Sequence, residues 1–178
     1  IIGPPRVADV RYSPVPPTNA SQTTISAELE DDTGISSATL YWSYNKARPY
    51  PNSVPMAESK YAGTWTASIP AQATGTRVYY YVACTDGTMD AEKPSVGGYS
   101  YYTGTTTIQS VQQVPVGGDA SPMDTLAVNV EGYVTVEPGV FNPNTFYIQE
   151  AEGGWHGIMV YDRTGTLTFE RGDYVVCC

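Results

Sequence analysis

One histidine, three lysines and three cysteines in 178 residues leave little material for proton transfer, Schiff-base formation or metal binding. Cys84, Cys177 and Cys178 do not fall into the separated ligand pairs of a zinc site, and the lone His156 is remote from them in sequence. Cys84 sits in an apolar alternating stretch and reads as a small buried residue. His156 has no Ser or Cys nucleophile motif and no Asp set out to orient it. Glu150 and Glu152 are a carboxylate pair of the kind glycoside hydrolysis uses, but Gly153-Gly154 follows and marks an acidic turn. No catalytic residue and no obligatory cofactor is assigned, and the chain is expected not to be an enzyme. Apolar runs are short, and none approaches the roughly 20 residues that cross a bilayer. Cations are scarce as well: 9 Lys and Arg against 18 Asp and Glu give a net charge of -9, which repels phosphate backbones over the surface as a whole.

What the chain has in quantity is Tyr (15), Gly (17) and Pro (14), in apolar and aromatic runs of period two broken by turn residues about every 10 positions. That is an all-β pattern, with no convincing helical period. In the first half the spacing predicts strands over 6–12, 23–30, 38–44, 63–69, 77–85 and 98–102, with breaks at Pro14 to Pro17, Asp31 to Gly34, Pro49 to Pro55, Pro70 to Gly75 and Asp86-Gly87. Such a series fits a two-sheet antiparallel sandwich. A polar Gly/Thr connector at 103–107 places a boundary between residues 1–104 and 105–178. Beyond it, 126–136 alternates as one long strand expected to bend at Gly132, and 145–149, 157–162 and 173–177 read as three shorter strands.

Three segments of the first half carry a resemblance. Leu29 to Gly34 is an Asp-rich turn after a strand, Leu40-Tyr41-Trp42 opens the next strand, and Tyr81 with Ala83 to Asp86 closes the penultimate one. Together they resemble the immunoglobulin-like modules of secreted bacterial proteins, which implies an immunoglobulin-like or fibronectin-III-like sandwich over residues 1–104. In the second half, Ile108-Gln109, Val130 to Thr135, Phe146 to Gln149, Trp155 to Asp162 and Gly172 to Val176 closely resemble the OB-fold-like modules that accompany extracellular bacterial nucleases and multidomain surface proteins. Glu150 stands where that family has Asp. The resemblance implies a Greek-key barrel over 105–178. Because such a barrel needs five strands and the pattern supplies four, it is expected to be partial and open at its C-terminal side.

Two candidate sites follow from these resemblances. Asp31, Asp32, Asp86 and Asp90 lie in loops that emerge at one pole of an immunoglobulin-type sandwich, where oxygens could gather around Ca2+. Asp is also the ordinary residue of such turns, bonding its own backbone. Phe146, Tyr147, Trp155, His156 and Tyr161 lie on or near the second and third barrel strands, where OB-folds stack bases or sugars. Residues 105–178 carry nine acidic residues against Arg163 and Arg171, a charge of -7, which makes nucleic acid an unfavoured ligand there.

The expected role is a non-catalytic structural or recognition segment of a larger secreted or cell-surface protein. Its partners would be other domains of that protein or neighbouring copies. Scarce Lys, abundant Ser, Thr and Tyr, and a possible glycosylation acceptor at Asn19-Ala20-Ser21 suit an extracellular setting. The absence of an initiator Met suggests a piece of something longer or a processed product. Two rival expectations stand beside it. One is an accessory substrate-binding module of an extracellular nuclease. The other is a self-assembling filament subunit in which residues 7–15 of one copy pair with the open barrel edge of the next.

Overall fold

The computed structural model describes residues 3–178 and divides into two compact units, Ile1–Gly104 and Thr105–Cys178. It is almost entirely β, built from three antiparallel sheets. In the first unit the strands are β1 (Arg6–Ser13), β2 (Thr23–Glu30), β3 (Ser37–Ser43), β4 (Asn52–Pro55), β5 (Ala57–Glu58), β6 (Thr64–Ile69), β7 (Arg77–Thr85), β8 (Asp90–Lys93) and β9 (Tyr99–Tyr102). One sheet has the order β1-β2-β6-β5. The other runs β4-β3-β7, with β8 and β9 following one another along the remaining edge of β7.

Period-two alternation explains how the sheets pack. In β7, Val78, Tyr80, Val82 and Cys84 are buried while Arg77, Tyr79, Tyr81, Ala83 and Thr85 are only partly so. In β2, Ile25, Ala27 and Leu29 are buried, and Glu28 and Glu30 are exposed. The buried faces share one core, to which Ile25, Leu29 and Ile69 come from one sheet and Leu40, Val78 and Val82 from the other. Burying those branched aliphatic side chains, at about 1.5–3 kcal/mol each, is what holds the two sheets together.

The break expected over 49–55 is in part a strand: β4 pairs with β3 from Trp42↔Asn52 to Thr39↔Pro55. Its one proline, Pro55, is tolerated because β4 is an edge strand, where a missing N–H costs no ladder bond. Residues 7–15, the expected filament donor, are largely occupied. Val7 to Ser13 belong to β1, paired with β2, and Val7 is buried in the core. Lending this segment to another copy would strip β1 from its own sheet.

In the second unit a short helix, α1 (Ile108–Gln112), precedes β10 (Val130–Val136), β11 (Thr145–Gln149), β12 (Gly157–Tyr161) and β13 (Tyr174–Cys177). The sheet order is β12-β11-β10-β13. Three consecutive strands with the fourth returning beside the first make a Greek key. Ile108, Val130, Val134, Phe146, Ile148 and Val175 form its core. The long strand expected from residue 126 begins only at Val130, and its register shift lies between Val134 and Val136 rather than at Gly132. Gly132 is required for another reason: a Cβ there would lie 2.7 Å from the Gln149 carbonyl oxygen of the neighbouring strand.

Candidate recognition surface

Of the four candidate carboxylates, Asp31, Asp32 and Asp86 lie in turns and Asp90 begins β8. Asp31 accepts from the Thr33 N–H at 2.7 Å and its hydroxyl at 2.6 Å, and these bonds hold its carboxyl below the usual range. Asp86 accepts from the N–H groups of Thr88 and Met89, each at 2.6 Å. Both are side-chain-capped turns of the ordinary Asp kind. Asp31, Asp86 and Asp90 do gather around one end of β7, since after burial it is their charges that raise the Cys84 thiol, to about 11. Asp32 is exposed beside them. Among the described residues no three His, Cys, Asp or Glu side chains are grouped as metal ligands would be. All three cysteines are free thiols.

The outward face of the first unit's second sheet carries a shallow cleft of about 470 Å³. Ser37, Thr39 and Ala83 line it together with the Tyr41–Tyr81 stack, whose rings lie 4.9 Å apart and nearly parallel. Arg48 lies over the Tyr81 ring at 3.7 Å, and its guanidinium donates to Glu92 and to the Gly97 and Pro94 carbonyls. Every arm of that fork is spoken for within the unit, so Arg48 braces the Tyr81 platform and ties it to the strand connection after β8.

In the second unit, alternation decides which aromatic residues reach the surface. Phe146 and Ile148 point inward; Phe146 is 1% exposed and packs on Phe169 at 5.3 Å, so it is a core residue and not part of a binding face. Tyr147, its neighbour, points outward and sits opposite Met159, and Tyr161 sits opposite Thr145 on the same face. Tyr133 and Tyr174, cross-strand partners with rings 5.0 Å apart, extend that face across β10 and β13. Phe141, in the β10–β11 connection, meets Tyr147 edge-on at 6.0 Å. The outer face of this sheet is therefore tiled by Tyr133, Tyr147, Tyr161, Tyr174 and Phe141, of which all but Tyr147 are more than half exposed. Tyr133 and Tyr174 had a readable signal, because each flanks inward-facing valines in an alternating strand. Phe141 had none, lying in a Pro- and Asn-rich loop.

Trp155 is 56% exposed in the β11–β12 turn, at a positive φ of 71°. His156 is not on the aromatic face. Its Nδ1 lies 3.1 Å from Glu150 Oε1, and its side chain is 22% exposed. Glu150 is the centre of a hub that spacing did not reveal: Oε2 accepts from the Ile108 N–H at 2.7 Å and Oε1 from the Gln109 N–H at 2.8 Å. Those are orphan donors of the first turn of α1, whose Thr107 cap takes the Ser110 N–H. Burial would raise the Glu150 carboxyl, but the Gln109 and Ile108 N–H groups and His156 outweigh it and lower it. Both oxygens of Glu150 are therefore engaged in holding α1 on the sheet. Compared with known proteins, the chain matches no family model and no curated sequence at a significant level.

Proposed function

We propose that the chain is a non-catalytic recognition segment of a larger secreted or cell-surface protein, in which the outer aromatic face of the second unit binds a neutral saccharide. The observation that carries this reading is the row of outward tyrosines across all four strands of one sheet, with Phe141 at its margin. Aromatic rings in one exposed face offer stacking surface at little entropic cost, and sugars present apolar C–H faces to such rings. The -7 charge of residues 105–178 opposes polyphosphate ligands without penalising uncharged glycans.

The fold supports the reading at a finer level. The partition β1-β2-β6-β5 against β4-β3-β7 with β8 and β9 suits an immunoglobulin-like sandwich acting as a spacer. The order β13-β10-β11-β12 suits the first four strands of an OB-fold-like barrel, whose second and third strands carry the ligand face. Tyr147 and Tyr161 lie on those two strands.

The test is a titration of isotope-labelled protein with a panel of neutral oligosaccharides and, separately, with single-stranded oligothymidylate at low salt. Amide shifts at Tyr133, Tyr147 and Tyr161 with a glycan, lost in Tyr147→Ala, are expected. If no glycan perturbs this face, or if only the oligonucleotide does so with steep salt dependence, the reading fails. The second result would favour the nuclease-accessory alternative.

A further inference from the structure

We infer that the cleft on the outward face of the first unit's second sheet binds a linear aliphatic amine, with its ammonium group held between Asp90 and Glu92. The first observation is how the hollow is made. Cross-strand partners share a face, and the register pairs Ser37 with Thr85, Thr39 with Ala83 and Tyr41 with Tyr81. Two rows of small side chains therefore stop at a row of two stacked rings, and that step in height is the end wall of the cleft. At about 470 Å³ it lies within the range of small-molecule sites, which run from about 300 to 1,000 Å³.

The second observation is the chemistry of the lining. β8 sets Asp90 beside Thr85 and Glu92 beside Ala83, so two carboxylates about 7 Å apart along the strand flank one side. Among the described residues, no Lys, Arg, His, Asn or Gln lines the cleft. It offers carboxylate and hydroxyl oxygens and carbon, with no cationic or amide donor for an anionic ligand. Charge on an edge strand also discourages strand addition, but that role requires no hollow beside it.

The third observation is that charge is left unbalanced at the end away from the tyrosines. Glu92 gives one oxygen to Arg48 at 2.8 Å. Asp90 is exposed and, among the described residues, has no cation within ion-pair distance. Asp31 and Asp86 reinforce it, for after burial it is the charges of Asp31, Asp90 and Asp86 that raise the Cys84 thiol at this end of β7. An ammonium group carries three donors and no acceptor, which matches Asp90, the remaining Glu92 oxygen and the Ser37 hydroxyl. The alkyl chain then lies over Thr39 and Ala83 toward the tyrosine rings at the end wall. A bare metal ion would use only the oxygens and leave that stretch unfilled.

The proposal is tested by titrating the isotope-labelled full chain with n-pentylammonium chloride at constant ionic strength, with n-pentanol as the neutral counterpart. Saturable amide shifts at Thr39, Ala83 and Glu92, with a Kd in the millimolar range or below, are expected from the amine and not from the alcohol. Asp90→Asn, which removes the charge at constant size, is expected to weaken binding about threefold. Ala83→Leu, which fills the floor, is expected to abolish the shifts while the amides of the second unit stay where they are in wild type. An amine that gives no saturable shifts, an alcohol that binds as well, or variants that bind as tightly as wild type would overturn it. The glycan titration reads the other unit, so either reading fails without the other.

Discussion

Replacing Glu150 by alanine removes the acceptor of two backbone N–H groups at once, and the cost can be worked from the structure. Glu150 is 17% exposed, and its oxygens receive the Ile108 and Gln109 N–H groups at 2.7 and 2.8 Å. An N–H left without a partner in a buried setting costs about 1–3 kcal/mol, and this pair is only part-buried, so the expected total is ~2 kcal/mol. Glu150→Gln keeps one carbonyl acceptor and should lose about half of that. Hydrogen exchange at the Ile108 and Gln109 amides reads the effect locally. A loss of ~2 kcal/mol corresponds to exchange about 30-fold faster in the alanine variant. Denaturant unfolding reads the same loss globally, because Ile108 is a fully buried member of the second unit's core. Unchanged exchange at both amides, or alanine and glutamine variants equal to wild type, would refute the assignment of Glu150 as the clasp of α1.

The remaining predictions follow from the same kind of reasoning. Because the folded Glu150 carboxyl is held below its unfolded value of about 4.3, its contribution is fully present above that pH and is lost as pH falls through the lower folded value. Acid unfolding of wild type should therefore be steeper below about pH 4 than that of Glu150→Gln, and equal slopes would contradict it. The Cys84 thiol, buried and pushed up to about 11, should resist iodoacetamide at pH 8 until the protein is denatured, while exposed Cys178 reacts first. Native labelling of Cys84 at the rate of Cys178 would show that its burial is wrong. Gly132→Ala should destabilise the second unit by about 1–3 kcal/mol, because the new Cβ meets backbone that cannot step aside. Gly154→Ala, in open space, is the control and should be close to neutral in the same denaturation assay.

How much of this was readable in the sequence depended on the length and regularity of each pattern. β2, β7 and β11 were plain because their alternation runs unbroken against a one-sided core. β4, β5 and β8 were not, because short edge strands carry the Pro, Glu and Lys that ordinarily mark loops. The helix α1 is too short to show a period, and half of its capping comes from Glu150, more than forty residues away. The placing of Phe146 on a binding face overlooked a signal that was present, since it shares the parity of Ile148 and so belongs to the core. His156 could not be placed, for its partner lies across a turn whose geometry no spacing rule specifies. Asp31 and Asp86 follow the turn chemistry their sequence suggests, each bonding the backbone two or three residues on, whereas Asp90 opens the edge strand β8.

The recognition face is tested most directly by the residue-resolved glycan titration of wild type and Tyr147→Ala. The account predicts that a neutral oligosaccharide shifts the amides of Tyr133, Tyr147 and Tyr161 in wild type, leaves the sandwich unperturbed, and loses its effect in the variant. Shifts confined to the sandwich, or binding unaltered by Tyr147→Ala, would contradict it.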